Sequence, residues 1–310
     1  MQLRPNVRGH WYIVLRLSYI SNPSQKMNPS ATIKLFLPLG DPKKVRTAEL
    51  SNWSGKAVAA PRTDLEHLLA RPELAKPGIY LLLGADPETG DPVAYVGEAE
   101  VVGDRLKQHK GKEFWTSAVA FVSKDENLTK AHIRYLEGRI LSEAAAVGRY
   151  KLMNSVASGA KLPESDQHEM EVFLERIAQL LPVLGTELLT PIAPLAKLTP
   201  HGQLLYCTVK EVEAKGIRSP NGFVVLEGSG AVLKERAGAV THGAWIVALR
   251  VKLQADGSLV QDGNKLKFVK DVEFSSPSAA AGVVRGGTAP GPVAWKDSQG
   301  KTLKELEESQ

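Results

Sequence analysis

The 310-residue chain carries 39 lysines and arginines against 34 acidic residues, a formal net charge of +5. A hydrophobic fraction of 43% and a charged fraction of 24% are those of a chain that buries ordinary cores, which excludes a disordered tail or a fibrous protein. The single cysteine, Cys207, excludes an internal disulfide and a thiolate zinc site, and it points to a reducing, cytoplasmic setting.

The positive excess sits in residues 1–75, with 11 basic against 5 acidic residues, while 76–155 balance at 11 and 11. Charge alone therefore carries no nucleic-acid signal over the middle of the chain. No stretch approaches the roughly 18 apolar residues of a membrane span. Trp11–Leu15 is apolar but is cut short by Arg16, too early for the apolar core of a signal peptide. Residues 1–26 differ in texture from the rest of the chain and read as a disordered or misassigned extension, with Met27 as an alternative start.

In chain order, Thr32–Leu37 and Val45–Leu50 read as strands, the first closed by Pro38 and the Gly40-Asp41-Pro42 turn. Thr63-Asp64-Leu65-Glu66 has the spacing of a capping box and predicts a helix to about Ala70. Gly78–Leu83 and Val93–Gly97 flank turn chemistry at Asp86, Pro87, Gly90 and Asp91, and predict a hairpin. Asp104–Lys110 reads as a short helix and Phe114–Val122 as a strand. Asn127 is the expected cap of a long helix from Leu128 to about Val147, with Ile133, Leu136, Ile140 and Leu141 at helical spacing. A further amphipathic helix is expected over 164–181, closed by Pro182 and Gly185. Three prolines in 190–200 mark an extended linker. Beyond it, Leu204–Val209, Phe223–Leu226, Trp245–Val251 and Leu266–Val269 read as short strands. Ser276-Pro277 opens an alanine-rich helix that Gly286-Gly287 ends, Val293–Trp295 reads as a last strand, and Thr302–Glu308 as a terminal helix. The expected class is α+β. It comprises a flanking segment (27–75), a core at 76–155, a helical extension (156–189), the linker, and a second mixed domain with short strands (201–310).

The residues with chemical potential fall in one window and one order. Gly78-Ile79-Tyr80 is followed by Tyr95-Val96-Gly97, then Arg105 and His109 four residues apart, Glu137 inside the long helix, and Asn154 beyond it. In this order they resemble the GIY-YIG nuclease family, the second motif differing only by valine for isoleucine. The resemblance covers about a quarter of the chain. It implies a small antiparallel three-stranded sheet flanked by helices, and a metal-dependent endonuclease that hydrolyses phosphodiester bonds in nucleic acid, DNA ahead of RNA. It further implies Mg²⁺ (or Mn²⁺) on Glu137, with Tyr80, Tyr95, Arg105, His109 and Asn154 completing the centre. The residue types suit the task. Arg105 has the fixed donor fork that grips phosphate, and one carboxylate suffices for a cation that keeps most of its waters. Tyr80 is placed to take a proton from water if its environment favours the phenolate, while Tyr95 and His109 could orient that water or relay its proton.

Each residue taken singly also has a bland role: tyrosine packing in a strand, a solvated arginine, a surface glutamate, or an asparagine tying a loop. Two alternatives therefore stay open, a nucleic-acid-binding domain with a lapsed site and an interaction protein. Glu98 follows the second motif and places an acid where phosphate would approach. Trp53 is expected to pack on the core, with stacking on a base as the alternative. His132 is given no role. The segments Gly222–Ser229, Phe274–Ala281, Trp295-Lys296 and Gly300–Leu303 resemble an uncharacterised module that often trails bacterial GIY-YIG domains.

Overall fold

The computed structural model describes residues 3–5, 11–13, 30–154, 160–192, 203–239 and 243–309. Residues 1–26, expected as an extension, lie outside these except for the paired backbones of β1 (Leu3–Pro5) and β2 (Trp11–Ile13). Most of the proline-rich linker, 193–200, also lies outside them.

The expected α+β class is what forms. Seven strands make the first sheet: β3 (Ile33–Phe36), β4 (Arg46–Leu50), β5 (Gly55–Pro61), β6 (Gly78–Ala85), β7 (Pro92–Ala99), β8 (Trp115–Ser123) and β9 (Lys151–Leu152). Their order is β3-β4-β5-β8-β6-β7-β9, and every pair is antiparallel except β7 with β9. The expected antiparallel trio is β8-β6-β7, widened on one side by strands from the segment set apart as a flank. β5 escaped the sequence reading because Ala57, Ala59 and Ala60 are weak strand formers. Its seven-residue register with β8 and the burial of Ala57–Ala60 supply what propensity lacks.

Both faces of this sheet are covered, so 78–83 is apolar throughout instead of alternating. Ile79, Leu81 and Leu83 face α3 (Lys130–Val147) and α4 (Glu164–Leu180), where Ile133, Leu136, Phe173 and Ile177 complete one core. Trp53 joins that core, its ring 4.8 Å from Phe173, so packing is its role. Tyr80 and Leu82 face the other side, against α1 (Leu65–Leu69), α2 (Val102–Gln108) and the 3-10 turn Pro72–Ala75.

Two helix starts differ from expectation. Thr129, not Asn127, caps α3: its hydroxyl accepts the His132 N–H at 3.3 Å, and His132 Nδ1 accepts the Thr129 N–H at 3.3 Å. This is a capping box with histidine where glutamate or glutamine usually stands, which hid it. Conversely, the Thr63–Glu66 box does not form. Asp64 ends a 3-10 turn, accepts the Val45 N–H at 3.0 Å and sits 2.6 Å from His67 Nδ1, so its carboxylate ties the sheet to α1.

The second unit holds an antiparallel sheet of β10 (Leu205–Val209), β11 (Val212–Ser219), β12 (Gly222–Val225) and β16 (Val272–Phe274), ordered β10-β11-β12-β16. A smaller sheet, β13-β15-β14, comes from β13 (Gly230–Val232), β14 (Leu259–Asp262) and β15 (Lys265–Phe268). Trp245–Val251, expected as a strand, lies in helix α5 (Ala244–Ala255). Ile246, Arg250 and Leu253 are its buried positions while Trp245 and Val251 are exposed, a helical period that β-branched content had masked. Helix α6 (Pro277–Arg285) forms as expected, with Ser276 Oγ accepting the Ala279 N–H at 3.1 Å. Val293 lies in a helical turn, α7 (Gly291–Ala294), not in a strand. Trp295 follows it, buried 4.4 Å from Phe223, its indole N–H donated to the Pro277 carbonyl at 2.9 Å. Thr302 caps α8 (Leu303–Glu308).

Candidate active site

Tyr80 on β6 stands opposite Gly97 on β7. A Cβ at Gly97 would lie 2.4 Å from both Cζ and the hydroxyl of Tyr80, so the phenol can cross β7 only where the side chain is absent. The tyrosine of the first motif and the glycine of the second are thus two halves of one packing contact. Tyr95 lies two pairs further along β7, opposite Leu82, with its ring 6.1 Å from that of Tyr80.

His109 comes from the other end of α2. It sits just beyond the last helical turn and is buried, whereas Arg105, four residues earlier, is exposed. Its Nε2 is 2.9 Å from the Tyr80 hydroxyl, and its ring is 4.9 Å from that of Tyr95. The Trp115 indole N–H donates to the His109 carbonyl at 3.0 Å and fixes this turn, a support no sequence pattern announced. Lys112 lies 5.0 Å over the Tyr95 ring. Burial pushes the Tyr80 phenol well above its ordinary range, with Tyr95 and Glu137 adding to the shift and Arg105 opposing it. Burial, then Lys112 and Arg105, lowers His109 to about 4. Near neutral pH the pair is therefore a protonated phenol against a neutral imidazole. His109 Nδ1 is buried and lacks a hydrogen-bond partner among the described residues.

Glu137 reaches the site from α3 around the edge of the sheet. β9 pairs only with Val93 and Ala94. Asn154 then extends it by one side chain: its Nδ2 donates to the Val96 carbonyl at 2.8 Å, and its Oδ1 accepts the Val96 N–H at 3.3 Å. The next outward N–H on β7 belongs to Glu98, and it faces the carboxylate of Glu137. Glu137 is half-buried and has no ion-pair partner among the described residues. Burial raises its pKa, Glu98 raises it further, and Arg134, the Glu98 N–H and Lys130 act the other way. Arg105 donates to Gln108 Oε1 at 2.7 Å, and its charge acts on both Tyr80 and His109.

The fold thus brings Tyr80, Tyr95 and His109 into contact and sets Arg105 and Glu137 within electrostatic reach of the phenol. Asn154 serves the backbone. His132 caps α3 and lies 3.4 Å from Asp166. Among the described residues no group of three or more His, Cys, Asp or Glu side chains is arranged to hold a metal, so any cation here would rest on the Glu137 carboxylate and its near neighbours. No described helix is long and apolar enough to cross a membrane.

Residues 205–307 match a known family, described as Domain of unknown function (DUF4357). That match covers the second unit, where the sequence resembles an uncharacterised module. No GIY-YIG family match is found for the chain. No curated protein matches it, and no solved structure does.

Proposed function

We propose that residues 76–155 form the centre of a divalent-metal-dependent endonuclease of the GIY-YIG kind, acting on nucleic acid, DNA ahead of RNA. The observation that carries this is the Tyr80–His109 hydrogen bond, 2.9 Å long, made possible by Gly97, with Arg105 exposed beside it and Glu137 at the open edge of β7. These groups come from four separate elements, β6, β7, α2 and α3, and packing alone has no need to gather them.

A half-buried carboxylate with no ion-pair partner among the described residues, its pKa raised by burial first and by Glu98 second, fits a Mg²⁺ or Mn²⁺ site. Mg²⁺ usually keeps several waters and takes one or two carboxylates, so a three-ligand cluster is not required. When bound, such an ion supplies positive charge to phosphate oxygens and acidifies a water. The chain supplies the rest. Arg105 presents donors to the phosphate. The Tyr80 hydroxyl donates to neutral His109 Nε2, so it can take a proton from water only as it gives its own to that nitrogen, a transfer that the burial of both groups opposes. Tyr95, half-buried beside both, orients the water.

The alternative is a nucleic-acid-binding domain without turnover, and the 1% exposure of Tyr80 favours it. One experiment separates them. Plasmid is incubated with the purified chain and Mg²⁺ or Mn²⁺. Strand cutting that disappears in Glu137→Ala and Arg105→Ala, with folding retained, supports the nuclease. Salt-sensitive binding without cutting in either metal supports the lapsed site.

A further inference from the structure

Beside the Tyr80 cluster lies an open hollow walled by β7, α2 and the first turn of α3, and Glu98, Glu100, Asp104, Arg105, Gln108 and Lys130 line it. Three of these are acids, an unpromising wall for a polyanion. The ion pairs change that balance. Lys130 Nζ lies 2.9 Å from Glu98 Oε2 and 3.9 Å from Glu100 Oε2. The Glu98 side chain is only 16% exposed, while that of Lys130 is 48% exposed. Lys130 is the first residue of α3, and the Thr129–His132 capping box fixes its backbone. The lysine is therefore anchored at its base and held at its tip.

We propose that Lys130 is a second phosphate-binding residue of the substrate groove, facing the same hollow as Arg105, and that Glu98 is the positioning residue that aims it. This rests on the nuclease reading above. An ammonium carries three donors, and the pair with Glu98 uses one of them. The others remain for a phosphate oxygen entering between α2 and α3. Glu98, unfavourable to a polyanion on its own, is neutralised in place by the cation it orients. An exposed ion pair kept only for stability is worth little, whereas a lysine pinned beside a phosphate-gripping arginine loses less freedom when substrate arrives.

The test measures binding of a short labelled DNA duplex to the full chain over about 50 to 200 mM salt, where each phosphate contact contributes about 0.9 to the slope of log K against log salt. Lys130→Gln is expected to weaken binding roughly tenfold at low salt and to lower the slope by about 1. Lys130→Arg restores most of both. The double variant Glu98→Gln with Lys130→Gln has the same net charge as the parent. A placed donor predicts that it still binds weakly and with the lower slope. Parent-like affinity and slope in Lys130→Gln, or in the double variant, overturns the assignment while leaving the nuclease reading intact. A parent chain that does not bind the duplex at low salt overturns both.

Discussion

Replacing Gly97 by alanine tests the packing contact on which the centre is built. The new methyl would start 2.4 Å from the Tyr80 Cζ and hydroxyl, against the ~3.5–4.0 Å of an ordinary carbon contact, so the ring must move by about 1 Å or more. Tyr80 is 1% exposed and wedged between strands, and overpacking of this kind costs about 1–3 kcal/mol. The displacement also breaks the 2.9 Å bond to His109 and leaves two buried polar groups unpaired, another 1–3 kcal/mol or so. Alanine is stiffer than glycine in the unfolded chain, which returns about 0.4–1 kcal/mol. The net expectation is a loss of about 1–5 kcal/mol, centred on ~3, read from urea unfolding followed by Tyr and Trp fluorescence. A double-mutant cycle isolates the cause. In a Tyr80→Ala background the methyl has nothing to strike, so Gly97→Ala should be neutral or slightly stabilising there. A single-variant loss below about 0.5 kcal/mol, or an equal loss in both backgrounds, would refute the claim that this glycine exists for that phenol.

Other outcomes rest on the same geometry. Glu137→Gln should abolish metal-dependent cutting while unfolding at equal or higher denaturant, because it removes a half-buried charge whose ionisation burial opposes; a fall in stability matching the fall in activity would point to a structural role instead. His109 is lowered to about 4 in the fold against a usual value near 6.5, so below that range the unfolded chain takes up the proton first. Its contribution to stability, up to about 3 kcal/mol, is complete above pH ~6.5 and is lost as pH falls towards 4. His109→Gln should flatten that part of a stability–pH profile, and an unchanged slope would argue against a buried neutral imidazole. In the second unit, Arg250→Met should cost about 3 kcal/mol or more, since it leaves the carbonyls of Val232, Leu233 and Val283 and the carboxylate of Glu235 without their shared donor. Thermal unfolding of the full chain, with a separate transition for this unit, would show it.

What could be read from the sequence depended on how local the cause was. The hairpin of β6 and β7, the strand β8, helix α4 and the Ser276-Pro277 helix start were legible because their signals lie within a few residues. The width of the first sheet was not. β5 is alanine-rich and owes its pairing to β8, some sixty positions later, so neither propensity nor periodicity marks it. Helix α5 was misread for the complementary reason: Trp245, Ile246, Val247 and Val251 look like a strand, and only burial at Ile246, Arg250 and Leu253 shows the true period. The candidate site shows the same division. Order and spacing marked Tyr80, Tyr95, Arg105, His109 and Glu137, but not that Tyr80 would be buried or that Trp115 would hold the His109 turn. Asn154 was marked as part of the centre, and in the fold it pins Val96. The Glu98–Lys130 pair spans 32 positions and leaves no local trace at all.

One topological feature ties these observations together. β7 would be an ordinary interior strand if β9 ran its full length, but β9 has two residues and pairs only with Val93 and Ala94. Asn154 closes the edge through Val96 with a side chain instead of a backbone. Among the described residues the edge then opens where Gly97 admits the phenol from one face and where Glu137 arrives from the helix on the other. A continuous outer strand would take up the Glu98 N–H and bar α3 from that edge. The phenol–imidazole pair lies on one face of the sheet and the carboxylate comes from a helix on the other, and they can act on one another because, among the described residues, the sheet ends there. A short β9, with the Asn154 side chain in place of further backbone pairing among the described residues, is therefore what makes a shared centre geometrically possible, whichever reaction it serves.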